Sequence, residues 1–150
     1  MQNTIEKLEK LITGYTNQLK LIDATTFSNK PNPEKWSKKE ILGHLIDSAQ
    51  TNTRRFIIAQ YEENPKIIYN QNEWVTISGY QQYDKDELIE FWILINKHIC
   101  HILKNMPAGK EKRICTSEAE HSIEWLAEDY IKHLQHHIHA ILNLEPVAYP

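Results

Sequence analysis

Apolar residues recur along most of this chain at three- and four-residue spacing, the period of a helix with one buried face. The first such stretch runs from about Thr4 to Ile22, with Ile5, Leu8, Leu11, Ile12, Tyr15 and Leu19 on one stripe and Asn3 and Glu6 placed as an N-terminal cap. Pro31 and Pro33 mark the end of the loop that follows. The second stretch opens on WSKKE, where Ser37 and Glu40 have the spacing of a capping box. It carries Ile41, Leu42, Leu45, Ile46, Ala49 and Phe56 inward and runs to about Tyr61.

From Glu62 to Tyr83 the helical period disappears, and Pro65, Gly79 and several aromatics take its place. A segment of about twenty residues is long for a simple helix–helix turn. It suits a crossover that runs back along a bundle, with Trp74 as an anchor, and lets two consecutive helices lie parallel. A third helix is expected from Asp84 to about Asn105, with Leu88, Phe91, Trp92, Ile95, Ile99, Ile102 and Leu103 inward. Met106 to His121 reads as polar linker, and Ser122 caps a fourth helix ending near Leu144, before Pro146. The pattern predicts an all-α fold: a four-helix bundle of up-down-down-up order with the long crossover between its second and third helices. The 150 residues suit a single domain, 1–150.

The fourth helix contains DYIKHLQHHIHAIL, with four of the chain's eight histidines. At about 100° per residue, His133 and His137 lie at the edge of the apolar face, one turn apart, while His136 and His139 point away from it. In an up-down-down-up bundle the second and fourth helices are antiparallel. His44 then lies about 10 Å from the start of one, and His137 about 10 Å from the end of the other, at the same depth. In an up-down-up-down order the rings would be offset by roughly 6 to 12 Å.

Two histidines at i and i+4 can share a metal ion, and a third from a facing helix leaves a coordination position for water or substrate. Zinc, nickel and iron all suit imidazole. Taken singly the signals are weak: H-x-x-x-H recurs by chance, and His44 alone fits a hydrogen-bonded boundary residue as well as a ligand. Asp129, one turn before His133, suits either a surface charge or an acceptor that orients a ring. The H-E-x-x-H pattern of metalloproteases is absent, and one E-x-x-H, Glu118 with His121, falls short of a di-iron bundle. His98 and His101 lie too deep to join the site, as boundary and solvent-facing residues, and His121 is at the opposite end.

Net charge is −3 with no basic stripe, which argues against a nucleic-acid partner. Lys35, Lys38, Lys39, Arg54 and Arg55 read as a solvated helix face. The longest apolar run, Phe91 to Ile95, is far short of a membrane span. MQNTIEKLEK does not read as a signal peptide, and Cys100 and Cys115 form no disulfide framework, so a reducing cytoplasm is the expected setting.

The segments PEKWSKKEILGHLIDSAQTNTRRF, EWVTISGY, DELIEFWILINKHICHIL and HSIEWLAEDYIKHLQHHI together resemble the DinB-like superfamily, also called the DinB/YfiT-like metalloenzymes. The resemblance implies an up-down-down-up bundle, often dimeric, with a divalent metal held by three histidines that fall on His44, His133 and His137. It also implies a small-molecule substrate, since characterised relatives include bacillithiol S-transferases and a mycothiol-dependent maleylpyruvate isomerase. Relatives often read H-H-x-x-Q where this chain has Ala140, so residue-level substrate recognition does not carry over. The expected activity is transfer of a low-molecular-weight thiol, or second a hydrolysis, with Trp36, Tyr80 and Tyr83 lining the opening. The rival expectation is a non-catalytic dimeric bundle, a stress-response or interaction protein whose histidines satisfy one another.

Overall fold

The computed structural model describes residues 1–149; Pro150, which closes the expected 1–150 domain, lies outside the described residues. Helices α1 (Gln2–Leu21), α3 (Lys38–Ile58), α5 (Lys85–Lys104) and α6 (Ile123–Leu142) form a four-helix bundle. Its directions follow from side-chain contacts at the helix ends. The Met1 ammonium pairs with Glu124 Oε1 at 3.1 Å, and near the far end Tyr15 meets His139 at 2.8 Å, so α1 and α6 are parallel. Lys85, opening α5, donates to the carbonyl of Ile22 just beyond α1, so those two are antiparallel. Lys39, opening α3, reaches the Tyr83 carbonyl just before α5, so α3 and α5 run together. The order is up-down-down-up, as the length of the crossover implies.

Local signals explain most of the helix boundaries. Ser37 and Glu40 form the full capping box of α3, at 3.1 and 2.8 Å. Asp84 caps α5 and Ser122 caps α6. Helix α1 instead starts from Met1, whose ammonium is held by Glu124, and Asn3 lies inside the helix rather than at its cap. In α5 the buried stripe includes Ile89, Ile93 and Asn96 in addition to Leu88, Trp92, Ile99 and Leu103, while Phe91 is exposed. Asn96 fills a core position because the Tyr130 hydroxyl donates to its Oδ1 at 2.5 Å and its amide donates to the Trp92 carbonyl.

Three short elements have no counterpart in the periodicity. Helix α2 (Ala24–Ser28), capped by Asp23, buries Phe27 in what reads as loop. Helix α4 (Gln71–Ser78) lies in the crossover; it buries only Val75, too little to leave a period. Strands β1 (Ile114–Thr116) and β2 (Glu120–Ser122) form an antiparallel hairpin in the expected linker, burying Cys115. The crossover joins this hairpin through Ile67 N–H to the Thr116 carbonyl, 2.9 Å, and Thr116 N–H to the Pro65 carbonyl, 3.0 Å.

Helix α4 ends at Gly79 in the left-handed region, and a 3-10 turn then drives Tyr80 into α3. The ring lies so close to Gly43 that a Cβ there would sit 2.1 Å from Tyr80 Cδ2. Gly43→Ala is therefore expected to cost about 3 kcal/mol, the upper end for an overpacked core, and to lower Tm by roughly 10 °C. Calorimetry checks this, and an unchanged Tm would show that Tyr80 yields freely.

Candidate metal centre

The amino-terminal half of α3 and the carboxy-terminal half of α6 run antiparallel past each other, which brings His44, His133 and His137 to one level. One ring nitrogen from each lies within 4.8 Å of those from the other two. The ring centroids are 4.6 to 5.0 Å apart, each pair edge to face. Nε2 of His44 faces Nε2 of His133 at 3.0 Å. On its other side, His133 Nδ1 meets the Ser48 hydroxyl at 3.4 Å, one turn along α3 from His44.

Burial holds all three rings neutral. It pushes His44 and His133 down to about 3 and His137 to about 4, and repulsion among the neighbouring imidazoles adds to the shift. Neutral imidazole is the form that ligates a metal. Two nitrogens bound about 2.1 Å from one tetrahedral ion would be about 3.4 Å apart, so the 3.0 Å gap needs little opening. Two buried atoms near the site have no partner, Nδ1 of His44 and Oδ2 of Asp47, three residues on. A ligating histidine ordinarily gives its other ring N–H to a carboxylate or carbonyl, and Asp47 offers a free acceptor of that kind. Its other oxygen accepts from Tyr80 at 2.5 Å, and burial raises its carboxyl to about 6. Donor type, protonation and spacing all suit a divalent ion.

The remaining histidines lie outside the cluster, but His139 is turned to the core rather than away from it, with Nε2 2.8 Å from the hydroxyl of buried Tyr15. His136 and His139 stay outside the cluster, although not as free surface residues. Their Nδ1 atoms meet the carbonyls of Val147 and Glu145, at 2.7 and 2.6 Å, and hold the final segment against α6. His98 and His101 are exposed. His121 stacks on Trp125 with ring centroids 3.5 Å apart.

Trp36 covers His44 at a ring distance of 5.1 Å. Tyr80 is buried against Gly43 and Asp47, and Tyr83 packs near Tyr80 with its carbonyl on Lys39, so neither ring contacts the triad. The Asp129 carboxylate accepts from the Tyr149 hydroxyl at 2.9 Å rather than from a histidine. Tyr149 in turn stands 5.2 Å from the His133 ring. No sequence signal marks this tyrosine, which follows Pro146 outside any periodic segment. Ser48 and Asp47 follow His44 by four and three residues, a spacing that places them on its helix face.

Beside His133 a cleft of about 460 Å³ opens between α3, α6, the hairpin and the crossover. Ser48, Asn52 and Arg55 form its α3 wall, with Tyr69, Asp129 and Tyr149 among the residues opposite. Lys39 and Arg55, read from sequence as part of a solvated face, are therefore placed differently: Lys39 is buried and Arg55 borders the cleft.

Comparison with known proteins agrees with this architecture. YfiT from Bacillus subtilis, described as a probable metal-dependent hydrolase with an unusual four-helix bundle topology, superposes with a TM-score of 0.83 at 19% identity, over 95% of this chain and 83% of that one. The mycothiol-dependent maleylpyruvate isomerase matches with a TM-score of 0.74 at 14% identity, over 98% of this chain and 61% of the isomerase. No curated protein sequence matches the chain. The family model of the DinB superfamily matches residues 7–141, and the chain belongs to that superfamily.

Proposed function

We propose that His44, His133 and His137 hold one divalent ion, zinc, nickel or iron, and that the protein is a metal-dependent enzyme acting on a small molecule. The observation that carries this reading is the convergence of three neutral imidazoles, one buried and two half-buried, beside an open cleft. The favoured reaction is transfer of a low-molecular-weight thiol to an electrophile, with hydrolysis second. The description of YfiT as a probable metal-dependent hydrolase and the mycothiol dependence of the isomerase support these two chemistries. When bound, such an ion supplies Lewis acidity that lets a thiol or a water ionise near neutral pH.

The protein's own groups prepare the site. Ser48 meets the His133 ring, burial keeps the rings unprotonated, and Trp36 and Tyr149 pack beside His44 and His133 respectively. Three ligands leave room for one more, and His133 belongs to both the triad and the cleft wall. We place the protein in a reducing cytoplasm, where Cys100 and Cys115 remain free, and read it as a homodimer. No helix among the described residues is long and apolar enough to cross a membrane.

Elemental analysis of protein purified without a histidine tag tests the reading. About one equivalent of metal is expected, and less than about a tenth after reconstitution would overturn it. With metal loaded, S-transferase turnover across several cellular thiols is expected, and its loss in His44→Ala would tie the chemistry to the triad.

A further inference from the structure

Arg55 has no carboxylate at ion-pair distance among the described residues. Its Nε and Nη2 both donate to the Ile67 carbonyl, at 3.2 and 2.9 Å, and Nη1 donates to Asn52 Oδ1 at 3.4 Å. A guanidinium has five N–H bonds, and three are used here, which leaves one proton on each terminal nitrogen. The Ile67 carbonyl belongs to the segment paired with β1, so the guanidinium is held by rigid backbone rather than waving in solvent. Burial pushes its pKa downward and outweighs the opposing pull of nearby groups that include the Asp129 carboxylate, so the charge is kept partly desolvated. Such a charge gains most from an anionic ligand that fits its planar donors.

The surroundings narrow the ligand. Asp129 and Glu118 also border the cleft, and the Asp129 carboxylate is engaged by Tyr149. A compact polyanion would meet these acids, whereas a molecule with one anionic end can keep it on the Arg55 side. Ser48, which touches His133, and Arg55 are seven residues apart on α3, on the order of 10 Å along the helix. That is about the length of three extended residues. Tyr69, pushed up to about 12 mainly by burial, remains a neutral hydroxyl in the same cleft and is a second donor.

We propose that Arg55 recognises the carboxylate of a small organic substrate whose reacting end lies at the histidine triad. The second half of that statement rests on the triad being the reactive centre; the first half does not, and it can be tested without metal. The probe is hexanoate, a single carboxylate with a flexible tail, and its neutral isostere hexanamide. Metal-stripped protein is titrated with each and followed by the fluorescence of Trp125 and the side-chain NMR signals of Arg55 and Asn52. Saturable hexanoate binding is expected, at least about tenfold tighter than hexanamide, with the largest NMR shifts at Arg55.

Arg55→Met should weaken hexanoate binding at least tenfold, and Arg55→Lys should fall between it and wild type, because the charge persists without the fork. Asn52→Asp provides the second variant. It sets a carboxylate beside Arg55, leaves the Ile67 anchor in place, and should weaken binding to the same degree. His98→Ala, on the exposed face of α5 outside the cleft, should bind hexanoate as wild type does. Equal binding by wild type and Asn52→Asp, or no saturation with hexanoate in wild type, overturns the proposal. Metal uptake without hexanoate binding would sink this inference alone, and hexanoate binding without metal uptake would sink the metal reading alone.

Discussion

The His133→Ala protein is expected to keep less than about a hundredth of the wild-type affinity for zinc or nickel, while His139→Ala binds as wild type does. Loss of an outer group that merely orients a ligand costs 10- to 100-fold in metal affinity, so loss of a ligand itself should exceed that range. His133 is also the most connected of the three rings, facing His44 on one side and Ser48 on the other. His139 is the proper control because it lies on the same helix but is spent on Tyr15 and the Glu145 carbonyl. Two readouts separate ligation from general damage. One is bound metal per chain. The other is the gain in thermal stability on adding metal, about 4 kcal/mol for wild type at a thousand times Kd and at most about 1.4 kcal/mol for His133→Ala at the same concentration. Equal losses in both variants would refute the division of these histidines into ligands and non-ligands.

The meeting of His44 with His133 and His137 was legible in the sequence because helical geometry leaves little freedom. An i, i+4 pair on the margin of an apolar stripe has to face the neighbouring helix, and the capping box at Ser37 fixes the start of α3 well enough to set the depth of His44. The parallel course of α3 and α5 was equally legible, from a crossover too long for a hairpin. What escaped is what has no period. Strands of three residues and an eight-residue helix with one buried side chain leave no repeat to detect. Yet the hairpin with its turn, the crossover and Tyr149 build about half of the cleft, and α3 and α6 the rest. Tyr80 shows the same limit from another side: an aromatic expected at the opening is drawn into the core because Gly43 leaves a hollow that fits its ring. Arg55, in the sequence one more charge on a polar face, acquires its setting only once the Ile67 carbonyl and the hairpin are in place.

Acid should unfold the metal-free protein well before it unfolds a typical bundle. Each triad histidine has an ordinary value of 6.5 when unfolded and about 3 to 4 in the fold. With the folded value depressed, the unfolded chain binds more protons between those limits. The stability from keeping the rings neutral is therefore complete above pH 6.5 and is lost as pH falls towards 4. Each proton taken up only by the unfolded chain costs about 1.4 kcal/mol per pH unit. Asp47 works in the opposite sense: its carboxyl sits at about 6 folded against 3.8 unfolded, so it favours the fold as pH drops through that window. Three protons against one leave about two, a limiting slope near 3 kcal/mol per unit that the partial exposure of His137 reduces. For a total stability at the lower end of the usual range of about 5–15 kcal/mol, the metal-free midpoint should fall between about pH 4 and 5. Bound metal, which holds the rings unprotonated, should move it lower. Urea titrations from pH 8 to pH 4, with and without zinc, measure both effects. A stability that is flat from pH 7 to pH 5 would mean that the rings can charge in place, and that burial does not hold the triad neutral.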